Sequence, residues 1–233
     1  MTATRMSKNE LIRRYIVLFS ALIVGAFGVT LVTRSTLGVN SVACFSYVSS
    51  VYFPVTMGMV TIAFNASMLL GQWLIFTPAQ RKSELVNLIL QVPVIVVFGL
   101  MVDVWMYLTR DLLLDAYWQK MVVLLVGSLI VALNIALQAV ASVSMLACDA
   151  FVRFLALRIN HRLGTVKLCY DLLLVASAAL MSLICSNFSE IVGIREGTVI
   201  GAIIVGPLVQ VWLPWLQGLK RWCDPNHRAV TEA

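Results

Sequence analysis

Charged side chains drop out of this sequence in long blocks. Residues 35–80, 46 in all, contain no Asp, Glu, Lys or Arg, and 15–33, 85–102, 121–148, 172–189 and 197–219 are equally free of charge. A helix needs about 20 mostly apolar residues to cross the hydrocarbon core of a bilayer, where helical backbone satisfies its own polar groups. The pattern predicts an all-α, polytopic transmembrane bundle. Apolar segments lie at about 15–33, 38–53, 57–77, 85–108, 120–141, 144–158, 163–186 and 196–218. Six are long enough to cross. The second and sixth are short, near 15 residues, and either cross, re-enter or lie at the interface.

The segment order is long, short, long, long, and then the same again. This predicts one membrane domain, residues 1–233, built from two repeated halves at about 15–108 and 119–218. An offset of 106 residues sets Gly58 on Gly164, Phe45 on Phe151, Leu31 on Leu137 and Asn65 on Asp171. Toward the ends the offset becomes 107, matching Gly99 with Gly206, Val102 with Val209, Val104 with Val211 and Trp105 with Trp212. Duplicated halves are a common way to build transporters, with the site near their interface. If the short segments cross, the halves are parallel; if they do not, the halves are inverted.

Composition agrees with a membrane protein: 61% of residues are hydrophobic and 12% charged, with mean hydropathy +0.93. The net charge of +6 does not point to nucleic acid, because the basic residues form no patch interleaved with aromatics. They flank apolar runs instead: Arg5, Lys8, Arg13 and Arg14, then Arg81 and Lys82, Arg158 and Arg162, Lys220 and Arg221. With the N-terminus inside, either topology puts 13 of the 17 Lys and Arg on the cytoplasmic side, as the positive-inside rule asks. Both termini are expected to be cytoplasmic, and residues 15–33 to be an uncleaved first helix rather than a signal peptide. The triplets beginning at Asn65 and Asn187 match the glycosylation pattern incidentally. The tryptophans at 105, 118, 212, 215 and 222 suit an interfacial belt.

An ionised side chain at the centre of a span costs about 2.5–3.5 kcal/mol on insertion scales, so each one requires a reason. Asp149 and Arg153 are spaced i,i+4, as are Lys167 and Asp171, so each pair can neutralise itself on one helix face. The arginines and Lys167 can also snorkel to headgroups, which the short aspartates cannot. Asp149, Asp171, Asn65 and Arg153 are therefore the candidate substrate-binding residues, expected at a polar cavity between the halves. Asn134 reads as an amide joining helices. The glycines 25, 28, 197, 201 and 206 read as packing positions, and Pro93 and Pro207 as kinks. The five cysteines and two histidines have no metal-ligand spacing, and no nucleophile–base set or cofactor motif is present. No cofactor, metal or enzymatic activity is expected.

Some stretches carry a family resemblance. Gly197-Thr-Val-Ile-Gly-Ala-Ile-Ile-Val-Gly-Pro-Leu-Val-Gln210 closely resembles the last-helix signature of the bacterial YczE/YitT-like membrane proteins. Thr33 through Leu37-Gly38-Val39 to Ala43 resembles that family's first-repeat turn, and Asp149 stands where it often carries an Asp. The run at 163–166, leading to Asp171, also fits. Ser144-Met-Leu-Ala-Cys-Asp149 departs from the glycine- and proline-rich turn that usually precedes the Asp. The resemblance covers roughly residues 15–218 and implies an integral protein of the bacterial cytoplasmic membrane. Taken together, the sequence leads to a small-molecule or ion transporter, with a membrane accessory protein that docks a partner complex as the alternative. A homodimer is open on either reading.

Overall fold

The computed structural model describes residues 8–187 and 192–223; Arg5, Ser189, His227 and Arg228 lie outside them. It is all helical: α1 Lys8–Arg34, α2 Ser41–Tyr52, α3 Met57–Ile75, α4 Pro78–Leu108, α5 Tyr117–Ala141, α6 Ala147–Arg158, α7 Leu163–Cys185, α8 Glu196–Trp215 and α9 Gln217–Cys223. Six of these, α1, α3, α4, α5, α7 and α8, are long and apolar enough to cross a membrane. At 12 residues each, α2 and α6 span only about 18 Å and fall short of a bilayer.

Two helices start earlier than the apolar pattern suggests, each for a local reason. In α1, Glu10 and Arg14 are one turn apart and form a buried ion pair at 2.8 Å, so the helix runs on through charged residues. In α4, the Gln80 backbone N–H donates to the Thr77 hydroxyl, while Gln80 Oε1 accepts from the Thr77 backbone N–H at 3.0 Å. This reciprocal cap fixes the start ahead of the apolar run. The helix continues unbroken through Pro93.

The core forms where α1 packs antiparallel on α5. A side chain at Gly25 would strike Asn134, one at Gly28 would meet Ile130 and Val131, and one at Gly127 would meet Val32. Bare backbone at these points lets the two helices approach closely. Leu18, Leu22 and Ala26 of α1 are fully buried. Around this pair, α4 lies on α1 and α8 on α5. Helix α2 touches α3 and α7, and α6 touches α7 and α3. Helix α3 closes against α4.

The ends of the helices sort into two layers. Arg13 donates to the Trp222 carbonyl and Arg14 to that of Ala141, so the start of α1 meets the end of α5 and α9. At the opposite end, Arg34 donates to the Met106 carbonyl at 2.6 Å, and Gly197 N–H donates to the Leu37 carbonyl at 2.8 Å. Near the end of α4, Trp105 lies tilted against Phe27 with ring centroids 4.6 Å apart and donates its indole N–H to the Ile23 carbonyl.

Candidate functional site

The short helices begin inside the bundle. At the start of α6, Cys148 donates its backbone N–H to Oδ1 of Asn65, at the middle of α3. Further along, Phe151 lies against Gly71 and Phe154 stacks edge-on to Phe76, so α6 follows the second half of α3 outward. Likewise α2 starts beside mid-α3, where Phe45 meets Phe64, and ends at α7, where Tyr52 and Ser182 share a hydrogen bond. Each is a half-helix with its N-terminus, and the partial positive charge of its free N–H groups, at mid-depth. Asn65, 2% exposed, caps α6. Helix α2 has no side-chain cap.

The charges gather between α6 and α7. The Lys167 ammonium donates to Asp149 Oδ1 at 3.2 Å and lies 3.1 Å from Asp171 Oδ1, bridging both carboxylates. One cation between two anions leaves a net charge of −1. The side chains are 34%, 44% and 26% exposed for Lys167, Asp149 and Asp171. The cluster is therefore partly open rather than sealed. Asp171 Oδ1 is buried and, apart from the ammonium contact, has no hydrogen-bond partner. Beneath the cluster, Cys148 donates to the Tyr170 hydroxyl, which donates to the Met68 sulfur.

Of the four residues singled out from sequence, Asp149 and Asp171 come together through Lys167. Asn65 stands one residue away in chemistry, at the amide of Cys148. Arg153 is exposed and forms none of the ion pairs. The expected Asp149–Arg153 pair is thus replaced by an interhelical one, because Lys167 reaches both acids from α7. Asn65 and Asp171 make no hydrogen bond to each other.

Sequence reasoning passed over a buried amide pair. Gln72 on α3, fully buried, and Gln91 on α4 exchange hydrogen bonds at 3.0 and 3.2 Å. Gln72 also donates to the Ala147 carbonyl at 3.0 Å. The signal was available, since an amide inside an apolar span requires a partner. A polar cavity of about 230 Å³ opens at the other end of the bundle, lined by Thr33, Thr36, Tyr47 and Arg195 among others. It does not reach the Asp149–Lys167–Asp171 cluster. Among the described residues, no three His, Cys, Asp or Glu side chains gather to hold a metal.

A family model covers residues 12–214, from inside α1 to the last turn of α8. The chain belongs to DUF6198, a family of unknown function. That match takes in α2 to α7 whole, all but the outer ends of α1 and α8, and every residue of the charge cluster. No curated protein and no solved structure matches the chain.

Proposed function

We propose that this protein is an inverted-repeat membrane carrier for a small solute or ion, with Asp149, Lys167 and Asp171 at its binding site and Asn65 beside them. The observation that carries this reading is one ammonium shared by two carboxylates at the inner end of a half-helix. Charge at such a place is costly, and discontinuous helices ending at mid-depth are where carriers build their sites. The net negative charge suits a proton, a cation or a zwitterionic solute.

The helix pairing supports the repeat. Exchanging α1–α4 for α5–α8 turns α1·α4 into α5·α8, α2·α7 into α6·α3 and α2·α3 into α6·α7, all of which are packed pairs. It leaves α1·α5 unchanged. With α2 and α6 not crossing, each half has three crossings, and the halves run in opposite directions. Seven arginines and lysines, Arg13, Arg14, Arg81, Arg158, Arg162, Lys220 and Arg221, then share one face with the start of α1, against Arg34, Arg110, Lys120 and Arg195 on the other. That asymmetry supports cytoplasmic termini in a bacterial inner membrane. It also accords with kinship to the YczE/YitT-like proteins.

Uptake into proteoliposomes from a panel of cationic and zwitterionic metabolites tests the carrier. Accumulation that disappears in both Asp149→Asn and Asp171→Asn is expected. Uptake indifferent to both substitutions overturns the site. A second reading, an accessory protein that docks a partner complex, is favoured by the absence of contact between the 230 Å³ cavity and the cluster. It predicts co-purification of a stoichiometric partner and no uptake of any solute.

A further inference from the structure

The two proposed halves differ at one interface. Helices α3 and α4 are packed together, whereas their counterparts α7 and α8 are not among the packed pairs. At the closed interface a side chain at Gly58 would strike the Gly99 carbonyl oxygen, and one at Gly99 would strike Ile62. Asp103 on α4 then caps the start of α3. Its carboxylate accepts from the Gly58 backbone N–H at 2.7 Å and from the Thr56 hydroxyl at 2.6 Å.

The sequence register carries each of these residues into the second half. Gly58 becomes Gly164, Ile62 becomes Leu168, Gly99 becomes Gly206 and Asp103 becomes Gln210. There they are apart. A side chain at Gly164 or Gly206 would meet nothing within 4 Å. Leu168 is 60% exposed, Gln210 is exposed, and the start of α7 has no side-chain cap. Bare glycine, an apolar knob and an amide able to accept a hydrogen bond are thus all in place for an interface that is open here. An amide facing lipid is costly, and an uncapped helix end has free N–H groups, so each lacks what the other supplies.

We infer that α8 closes onto α7, seating Leu168 on Gly206, bringing Gly164 backbone to backbone with α8, and letting Gln210 cap α7 at the Gly164 N–H. The inference rests on the repeat proposed above. Its consequence concerns the charge cluster. In the closed half Asn65, the counterpart of Asp171, is 2% exposed, while the Asp171 side chain is 26% exposed. Asp171 lies on the stripe of α7 that carries Gly164 and Leu168, seven and three residues further on, so closure of α7 on α8 covers it further. The α7–α8 gap is therefore the gate to the cluster.

Thiol crosslinking in the full-length protein in lipid vesicles tests this. Leu168→Cys and Ala202→Cys are introduced with Cys169→Ala and Cys185→Ala, and a short bismaleimide is added. Crosslinking within one chain is expected, and adding Gly206→Leu should abolish it. With α7 and α8 apart that leucine faces open space, so the variant should still fold, as checked by gel filtration. Gln210→Leu should weaken the crosslink. A yield no higher than in single-cysteine controls overturns closure, and so does a yield indifferent to Gly206→Leu. A product joining two chains overturns it as well, assigning the face to a second copy. The readout needs no solute: a chain that crosslinks yet transports nothing refutes the carrier and leaves closure standing.

Discussion

Gln72→Leu is the sharpest test of how the half-helix is held. Gln72 is completely buried and makes three hydrogen bonds, two with Gln91 and one to the Ala147 carbonyl at the base of α6. Leucine fits the volume but leaves the Gln91 amide, 5% exposed, without its partner. Each stranded buried polar group costs about 1–3 kcal/mol, although hydrogen bonds between membrane helices average only about 0.6 kcal/mol because the unfolded chain finds other partners. Weighing these, the single substitution should destabilise by about 2 kcal/mol, or about 30-fold in the folded-to-unfolded ratio. Gln91→Leu should cost less, since the Ala147 carbonyl keeps its donor.

The double substitution decides whether the reasoning holds. With both amides gone, no stranded amide remains and the Ala147 carbonyl loses only its second donor, so Gln72→Leu/Gln91→Leu should be more stable than the sum of the singles by about 1 kcal/mol. Equilibrium unfolding of the detergent-solubilised protein with increasing SDS, followed by tryptophan fluorescence, measures all three variants. Additive losses would mean the amides do not act as a pair. A neutral Gln72→Leu would mean that water or backbone already satisfies Gln91.

Four more substitutions follow from local surroundings. Arg14→Met strands Glu10, whose side chain is 8% exposed, and should cost about 3 kcal/mol in SDS unfolding, with Glu10→Gln on that background recovering part of it. Gly58→Ala should destabilise by about 1–3 kcal/mol by pressing on the Gly99 carbonyl. Gly164→Ala, with no neighbour to strike, should be neutral or slightly stabilising in the same assay, in keeping with alanine's higher helix propensity. Lys167→Met leaves Asp149 and Asp171 facing each other uncompensated and should lower the thermal midpoint, whereas Asp171→Asn added to it should raise the midpoint again.

The long helices were legible because exclusion of charge from the bilayer is a strong, one-dimensional constraint. The predicted segment at 163–186 and the helix Leu163–Cys185 differ by one residue. The short segments were legible as short, but their depth was not. That depth depends on Asn65 meeting Cys148, 83 residues away, and no local pattern encodes it. Asp149 and Asp171 were found from their cost, since an acid in a span requires a reason. The Lys167–Asp171 pair follows from its i,i+4 spacing, but the partner of Asp149 was misread, because the same spacing offers Arg153 whereas tertiary packing brings Lys167 across from α7. Gln72 and Gln91 each stood out only as an uncharged amide in a span, and their pairing across α3 and α4 is tertiary.

If the two halves are related as proposed, one of them serves as a control for the other. The positions matching Asp149, Lys167 and Asp171 are Ala43, Thr61 and Asn65. In the first half these three neutral side chains are buried, and the amide of Asn65 is enough to cap the half-helix that it faces. The architecture therefore does not demand charge at these places: an alanine, a threonine and an asparagine hold the same kind of helix junction. A carboxylate and an ammonium where a small amide and a hydroxyl suffice add cost to the fold, with a second carboxylate where a methyl group suffices. A stabilising role predicts that Asp149→Ala, Lys167→Thr and Asp171→Asn together, which rewrite the second half in the residues of the first, would unfold the protein. A binding role predicts the reverse: a triple variant that is folded and at least as stable in SDS, with its solute interaction gone. Loss of the fold in that variant would move the cluster from function to architecture.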